Sequence, residues 1–85
     1  MRDRTKINLN VVNDDKFLDM SHEAQSLYFH LVLRAENDGA IKNAKRVIRE
    51  VNGKEMCLEL LISKGYISKY FDGTYGVTDW EKHIG

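Results

Sequence analysis

The sequence predicts one small α+β domain over residues 1–85, with three main helices followed by a C-terminal β-hairpin. Three observations predict it: a long apolar stripe at helical spacing, two further helical segments separated by Asn-Gly, and an Asp-Gly pair between two strand-like segments. A chain of 85 residues buries only about 60% of the surface that its unfolded form exposes. It therefore supports one hydrophobic core.

The composition is that of a globular protein, with 42% hydrophobic and 31% charged residues. No apolar run approaches the roughly 20 residues that a transmembrane helix needs, and the charged N-terminus lacks the apolar stretch of a secretory signal. The one cysteine, Cys57, cannot form an internal disulfide, and it lies among apolar residues as a buried thiol would. These observations predict a cytoplasmic protein with no membrane association.

Residues 1–12 are predicted to form a flexible or strand-forming arm. Residues 8–12 alternate weakly between polar and apolar side chains, and residues 16–20 then predict one short helical turn. The arm carries three bases, Arg2, Arg4 and Lys6, a pattern that can lie along a minor groove of DNA. A frayed terminus without function is the alternative.

The main helix is predicted to begin after Ser21 and to run to about Ala35. The Ser21 hydroxyl can accept a free amide of the first turn, and Glu23 suits the positive end of a helix. The main helix is followed by a turn over residues 36–39 and by a very short strand over residues 40–42. The apolar stripe consists of Ala24, Leu27, Tyr28, Leu31 and Ala35.

Two shorter helices follow this short strand. Asn43 is predicted to cap the second helix, which runs from residue 44 to about 51 and ends at Asn52-Gly53. The third helix runs over residues 54–64 and is closed by Gly65 at its C-terminal end. Two helices joined by a tight turn are typical of a helix-turn-helix.

The last predicted element is a β-hairpin over residues 66–78, with Asp72-Gly73 as a two-residue turn. In that register Tyr70 is opposite Tyr75, and Ser68 is opposite Val77. A core helix, a short strand, two helices and a hairpin in this order form the arrangement of a winged helix-turn-helix. The hairpin is then predicted to be the wing.

Several motifs along the chain carry a family likeness, in order and with little gap from Asn13 to Trp80. They are Asp15-Lys-Phe-Leu-Asp-Met20, Ala24-Gln-Ser-Leu-Tyr-Phe-His-Leu31, Arg34-Ala-Glu-Asn-Asp-Gly39, Asn43-Ala-Lys-Arg46, Leu60-Leu-Ile-Ser-Lys-Gly-Tyr-Ile67 and Trp80. Together they resemble the N-terminal domain of phage replisome organisers and related DnaD-like replication proteins of Gram-positive bacteria. Ala44 and Asp79 depart from the pattern, because the family usually has proline and histidine at those places.

The resemblance implies a winged helix that helps to load the replication machinery at an origin. Its implied partners are double-stranded DNA and replication proteins such as a helicase loader. Family members continue into a C-terminal region, so the resemblance also implies that these residues are the N-terminal part of a longer protein.

Charge is distributed unevenly although the formal net charge is zero. Residues 14–38 contain six acids and two bases, whereas residues 42–54 contain five bases and one acid. We predict weak DNA binding by the monomer, strengthened by self-association. The predicted DNA-contacting residues are Lys42, Asn43, Lys45, Arg46, Arg49 and Lys54 in the basic segment, with Lys69 and Thr74 on the wing.

Two other hypotheses remain open. The basic stripe can be a solvated helix face, and the acidic residues 14–38 with the aromatic wing (Tyr70, Phe71 and Tyr75) can instead dock a second copy or another replication protein. Catalysis is not predicted: His22-Glu23 starts like a zinc-protease signature, but Ser26 stands where the second histidine is required. The spacing of the histidines and Cys57 predicts no metal site, and no cofactor is expected.

Overall fold

The computed structural model describes residues 7–84, which form an α+β fold with six helices and a three-stranded antiparallel sheet. The elements are α1 (Leu9–Val12), α2 (Asp15–Leu18), α3 (His22–Arg34), β1 (Ala40–Ile41), α4 (Ala44–Glu50), α5 (Glu55–Ser63), β2 (Ile67–Lys69), β3 (Tyr75–Val77) and α6 (Glu81–Ile84). The strand order in the sheet is β1-β3-β2, so the last strand lies in the centre.

Helix α3 is the centre of the hydrophobic core, as the apolar stripe predicts. The Ser21 hydroxyl caps the helix by accepting the backbone N–H of Ala24 at 3.2 Å. All five residues of the predicted stripe are buried, and Tyr28 and Leu31 are completely inaccessible to solvent. Each large apolar side chain buried in this way stabilises the fold by about 1.5–3 kcal/mol.

Helices α4 and α5 end in the same way, with a left-handed residue that turns the chain back. Asn52 (φ 56°) follows α4, and the next N–H, that of Gly53, donates to the Ile48 carbonyl at 2.7 Å. After α5, Gly65 (φ +85°) places the Tyr66 N–H 2.9 Å from the Leu61 carbonyl. Both predicted helix ends are therefore confirmed.

The prediction that the Asn43 side chain caps α4 with a hydrogen bond is wrong. Asn43 does occupy the N-cap position, but its side chain accepts no first-turn N–H. Its backbone (φ −130°, ψ 56°) departs from the extended conformation in which a capping side chain reaches those donors.

The predicted hairpin register is also wrong, by one residue. The observed pairs are Ile67 with Val77, Ser68 with Gly76, and Lys69 with Tyr75. A two-residue Asp-Gly turn requires positive φ at both residues, whereas here Gly73 (φ +86°) has it and Asp72 does not. The connection is instead a three-residue loop, residues 71–73, closed by a Tyr70 N–H to Thr74 carbonyl bond of 2.9 Å and by a glycine bulge.

The N-terminal arm of the prediction is corrected over residues 9–12, which are helical rather than extended. Asn8 caps α1 by accepting the Asn10 N–H at 2.8 Å, and its own backbone N–H and side-chain amide donate to His83 and Lys82 of α6. These bonds join residues 75 and 74 positions apart, so local sequence patterns do not reveal them. Helix α6 was not predicted.

His83 is buried, and its ring joins α1, α3 and α6. The Nδ1 atom accepts the Asn8 N–H at 2.9 Å, so the ring proton lies on Nε2, which donates to the Tyr28 hydroxyl at 2.7 Å. Burial lowers the pKa of His83 below its ordinary value, and the nearby Asp79 carboxylate opposes this only in part. A proton on Nδ1 would remove the acceptor of the Asn8 N–H.

We therefore expect acidification to destabilise the fold through His83. The pKa of His83 is lower in the folded state than in the unfolded state. The stabilising contribution of neutral His83 is therefore complete above the unfolded pKa of about 6.5, and it is lost as the pH falls through the folded-state pKa. The test is urea unfolding of the wild type and of His83→Gln at several pH values between about 7.5 and 5.5. Over this range, unfolding of the wild type should take up as much as one proton more than unfolding of the variant. Equal pH dependence in the two proteins would contradict this account of His83.

Candidate nucleic-acid interface

Helix α4 and the β2–β3 hairpin border a common depression of about 440 Å³, which we call the basic groove. Ala44, Val47 and Ile48 fix one side of α4 in the core, so the opposite side of the helix faces solvent. The hairpin folds back beside this exposed side. The basic groove is lined by Lys42, Asn43, Ala44, Lys45, Arg46, Arg49, Lys69, Gly73 and Tyr75.

Six of the eight residues predicted to contact DNA thus lie in one place. Lys42, Asn43, Lys45, Arg46 and Arg49 come from α4 and the segment before it, and Lys69 comes from the hairpin, twenty residues after Arg49. Five of these six side chains carry positive charge. The concentration of positive charge in the groove favours an anionic ligand.

The five cations differ in whether a carboxylate already neutralises them. Arg46 lies 3.5 Å from Glu50 one turn along α4, and Lys42 lies 3.9 Å from Glu36. Both pairs are largely exposed and contribute little to stability. Within residues 7–84, no carboxylate forms an ion pair with the other three cations, which are Lys45, Arg49 and Lys69.

The structure places Lys54 away from the basic groove. Its ammonium lies 3.1 Å from the Glu23 carboxylate at the start of α3, and this hydrogen-bonded ion pair raises the pKa of Lys54. Glu23 lines a separate depression beside Asn52 and Gly53. Lys54 therefore connects α3 to the segment before α5, and its position adds nothing to the cationic surface of the groove.

Both donors of Thr74 are hydrogen-bonded within the hairpin loop. Its hydroxyl donates to the Asp72 carboxylate at 2.6 Å, and its backbone N–H donates to the same oxygen at 3.0 Å. These two bonds hold the pKa of the Asp72 carboxyl below its ordinary value. Thr74 thus shapes the loop, and it does not line the groove.

A second depression adjoins the basic groove and has mixed charge. Lys45, Lys69 and Tyr75 line both depressions and form the boundary between them. On the far side, helix α5 contributes the carboxylates of Glu55 and Glu59. Because phosphates are repelled by these carboxylates, the surface that favours an anion ends at α5.

Tyr75 and Gly73 belong to the groove although neither is among the predicted DNA-contacting residues. Tyr75 is half-buried opposite Lys69, which follows from the observed register of the hairpin. The sequence does not reveal this register, because Asp-Gly suits a two-residue turn as well as the three-residue loop that forms. The predicted arm residues Arg2, Arg4 and Lys6 lie outside the described part of the chain.

No group of three or more His, Cys, Asp or Glu side chains within residues 7–84 is placed to hold a metal ion. Cys57 is buried, and the Nδ1 atom of His30 accepts a hydrogen bond from Arg34 at 3.0 Å. None of the helices described by the structure has the length and apolar character needed to cross a bilayer.

No protein-family model, curated protein or solved structure matches this chain.

Proposed function

We propose that this chain is a winged helix-turn-helix module that binds DNA in a phage-type replication initiation protein, and that it is not an enzyme. The order of elements supports the winged-helix interpretation, since a core helix, a short strand, two helices and a hairpin follow one another and the three strands form one sheet. The resemblance to replisome organisers supports the role in replication. In this proposal α4 and α5 form the helix-turn-helix and the β2–β3 hairpin is the wing.

The observation that carries the proposal is the convergence of cations in the basic groove. Side chains from α4 and from the hairpin meet there, and three of them, Lys45, Arg49 and Lys69, have no carboxylate partner within the described residues. Phosphate oxygens are the ligands that such a set of cations favours in a nucleic acid. The groove is therefore proposed to hold the DNA backbone.

The same geometry predicts that binding depends mainly on phosphate contacts. In a helix-turn-helix the second helix usually enters the major groove, but here the solvent-exposed side of α5 carries Glu55 and Glu59. The net charge of zero adds no long-range attraction. We therefore propose a weak monomer whose affinity rises when several copies, or a partner such as a helicase loader, bring more contacts to the DNA.

A second candidate function is protein docking without DNA binding. The observation that favours it is the set of large apolar side chains that are half or more exposed, among them Leu9, Leu18, Leu33 and Met56. They come from α1, from α2, from the end of α3 and from α5, so they belong to separate elements. A single continuous cationic groove is the stronger feature.

The test is the binding of a fluorescently labelled duplex at low salt, followed by anisotropy. The proposal predicts a dissociation constant of roughly 1–100 μM at physiological salt, the range of phosphate-driven binding, and tighter binding at low salt. Sedimentation of the same samples reports self-association separately. Self-association without any duplex binding at low salt would instead favour the docking function.

A further inference from the structure

Phe71 is the most exposed large apolar side chain among the described residues, and it stands at the tip of the hairpin. Its three-residue loop is well defined by hydrogen bonds: the Gly73 N–H donates to the Tyr70 carbonyl at 3.1 Å, and Asp72 accepts both the hydroxyl and the N–H of Thr74. The loop therefore holds the phenyl ring out in solvent without contact to the core.

The neighbouring aromatic residue is engaged differently. The Tyr70 ring lies over Gly76 of the central strand, where a Cβ atom at Gly76 would be 2.7 Å from the Tyr70 hydroxyl oxygen. Tyr70 therefore packs on the sheet. Phe71, one residue later, is left as the ring that projects from the tip.

The surroundings of Phe71 indicate what can cover it. Lys69 and Gly73, on either side of it in sequence, both line the basic groove. A partner that covers the ring and also fills the groove must combine an anionic backbone with a flat apolar face. An unpaired nucleotide has both features, because its phosphates suit the cations and its base stacks on an aromatic ring.

We infer that Phe71 stacks on an unpaired base of DNA whose adjoining backbone lies in the basic groove. This inference rests on the proposed function. Bases inside a continuous duplex are covered on both faces, and separating them costs a few kcal/mol per step, whereas the first unpaired base beside a duplex is already open to stacking. The module is thus suited to the junction between duplex and single-stranded DNA.

The experiment compares two labelled probes, a blunt duplex and the same duplex with a single-stranded extension of about five nucleotides. Base–aromatic stacking predicts that the wild type binds the extended probe roughly tenfold more tightly than the blunt one. Phe71→Ala should remove this preference and leave the affinity for the blunt duplex unchanged. Phe71→Trp should keep the preference, and its indole fluorescence should be quenched by the extended probe more than by the blunt one.

Leu9→Ala is the matched control, since Leu9 is also exposed and apolar but lies on α1, and it should behave as the wild type does. If wild-type protein binds neither probe, the proposed function fails. If it binds the blunt duplex but shows no preference for the extension, or if Phe71→Ala keeps the preference, only the stacking inference is overturned. Loss of self-association in Phe71→Ala with unaltered DNA binding overturns it too, in favour of contact with a second copy.

Discussion

Replacing Lys45 and Arg49 together by glutamate is expected to weaken duplex binding by about 100-fold. Each replacement removes one charge-assisted phosphate contact, which contributes roughly 1.5 kcal/mol or more, and places a repelling carboxylate in the basic groove. These two residues are preferable to Arg46 because Arg46 already pairs with Glu50, whereas Lys45 and Arg49 form no ion pair with the described residues. The measurement is duplex anisotropy at low salt.

The matched control is the double substitution Lys64→Glu with Lys82→Glu. It changes the net charge of the protein by the same amount, since two bases again become two acids, but neither residue lines the basic groove. Circular dichroism of both variants checks that they are folded. An equal loss of affinity in the two variants would show that overall charge, and not the groove, attracts the DNA.

Gly39→Ala is expected to lower the free energy of unfolding by about 3 kcal/mol, because two unfavourable effects add. The backbone at Gly39 has φ +86°, which costs a residue with a Cβ roughly 1–2 kcal/mol. The new Cβ would also lie 2.6 Å from Cγ of Trp80, and overpacking of this kind costs roughly 1–3 kcal/mol. Trp80 is buried, and its indole N–H donates to the Asn37 carbonyl at 2.9 Å, so it cannot easily move aside.

Gly65→Ala separates the two effects. Gly65 has nearly the same backbone angle, φ +85°, but a Cβ there meets no heavy atom within 4 Å. This variant should lose only the roughly 1–2 kcal/mol that the backbone requires. Urea unfolding followed by circular dichroism compares the two. Equal destabilisation would mean that the contact with Trp80 is not tight.

The helices could be predicted where local signals agree. Ser21 as a cap, the apolar stripe of α3 and Gly65 after α5 are all set by neighbouring residues, and all three are confirmed. The hairpin register could not be predicted because Asp-Gly suits both a two-residue and a three-residue loop. Pairing of β3 with β1 and packing of Tyr70 on Gly76 accompany the three-residue form, and these contacts involve residues outside the turn.

Short elements at the two ends of the described chain were missed for a related reason. Helices α1 and α6 have four residues each, too few to be stable alone, and they depend on hydrogen bonds between Asn8 and residues 82–83. The position of Lys54 could not be predicted for the same reason. Its partner Glu23 is far away in sequence, so charge patterning grouped Lys54 with the basic segment although the fold separates it from the groove.

The salt dependence of duplex affinity tests most directly whether the basic groove holds phosphates. Each contact contributes about 0.9 to the slope of log affinity against log salt, so three unpaired cations predict a slope near −3 for the wild type. The Lys45→Glu, Arg49→Glu variant should retain a slope near −1. A flat dependence in the wild type, or the same slope in both proteins, would contradict the proposed interface.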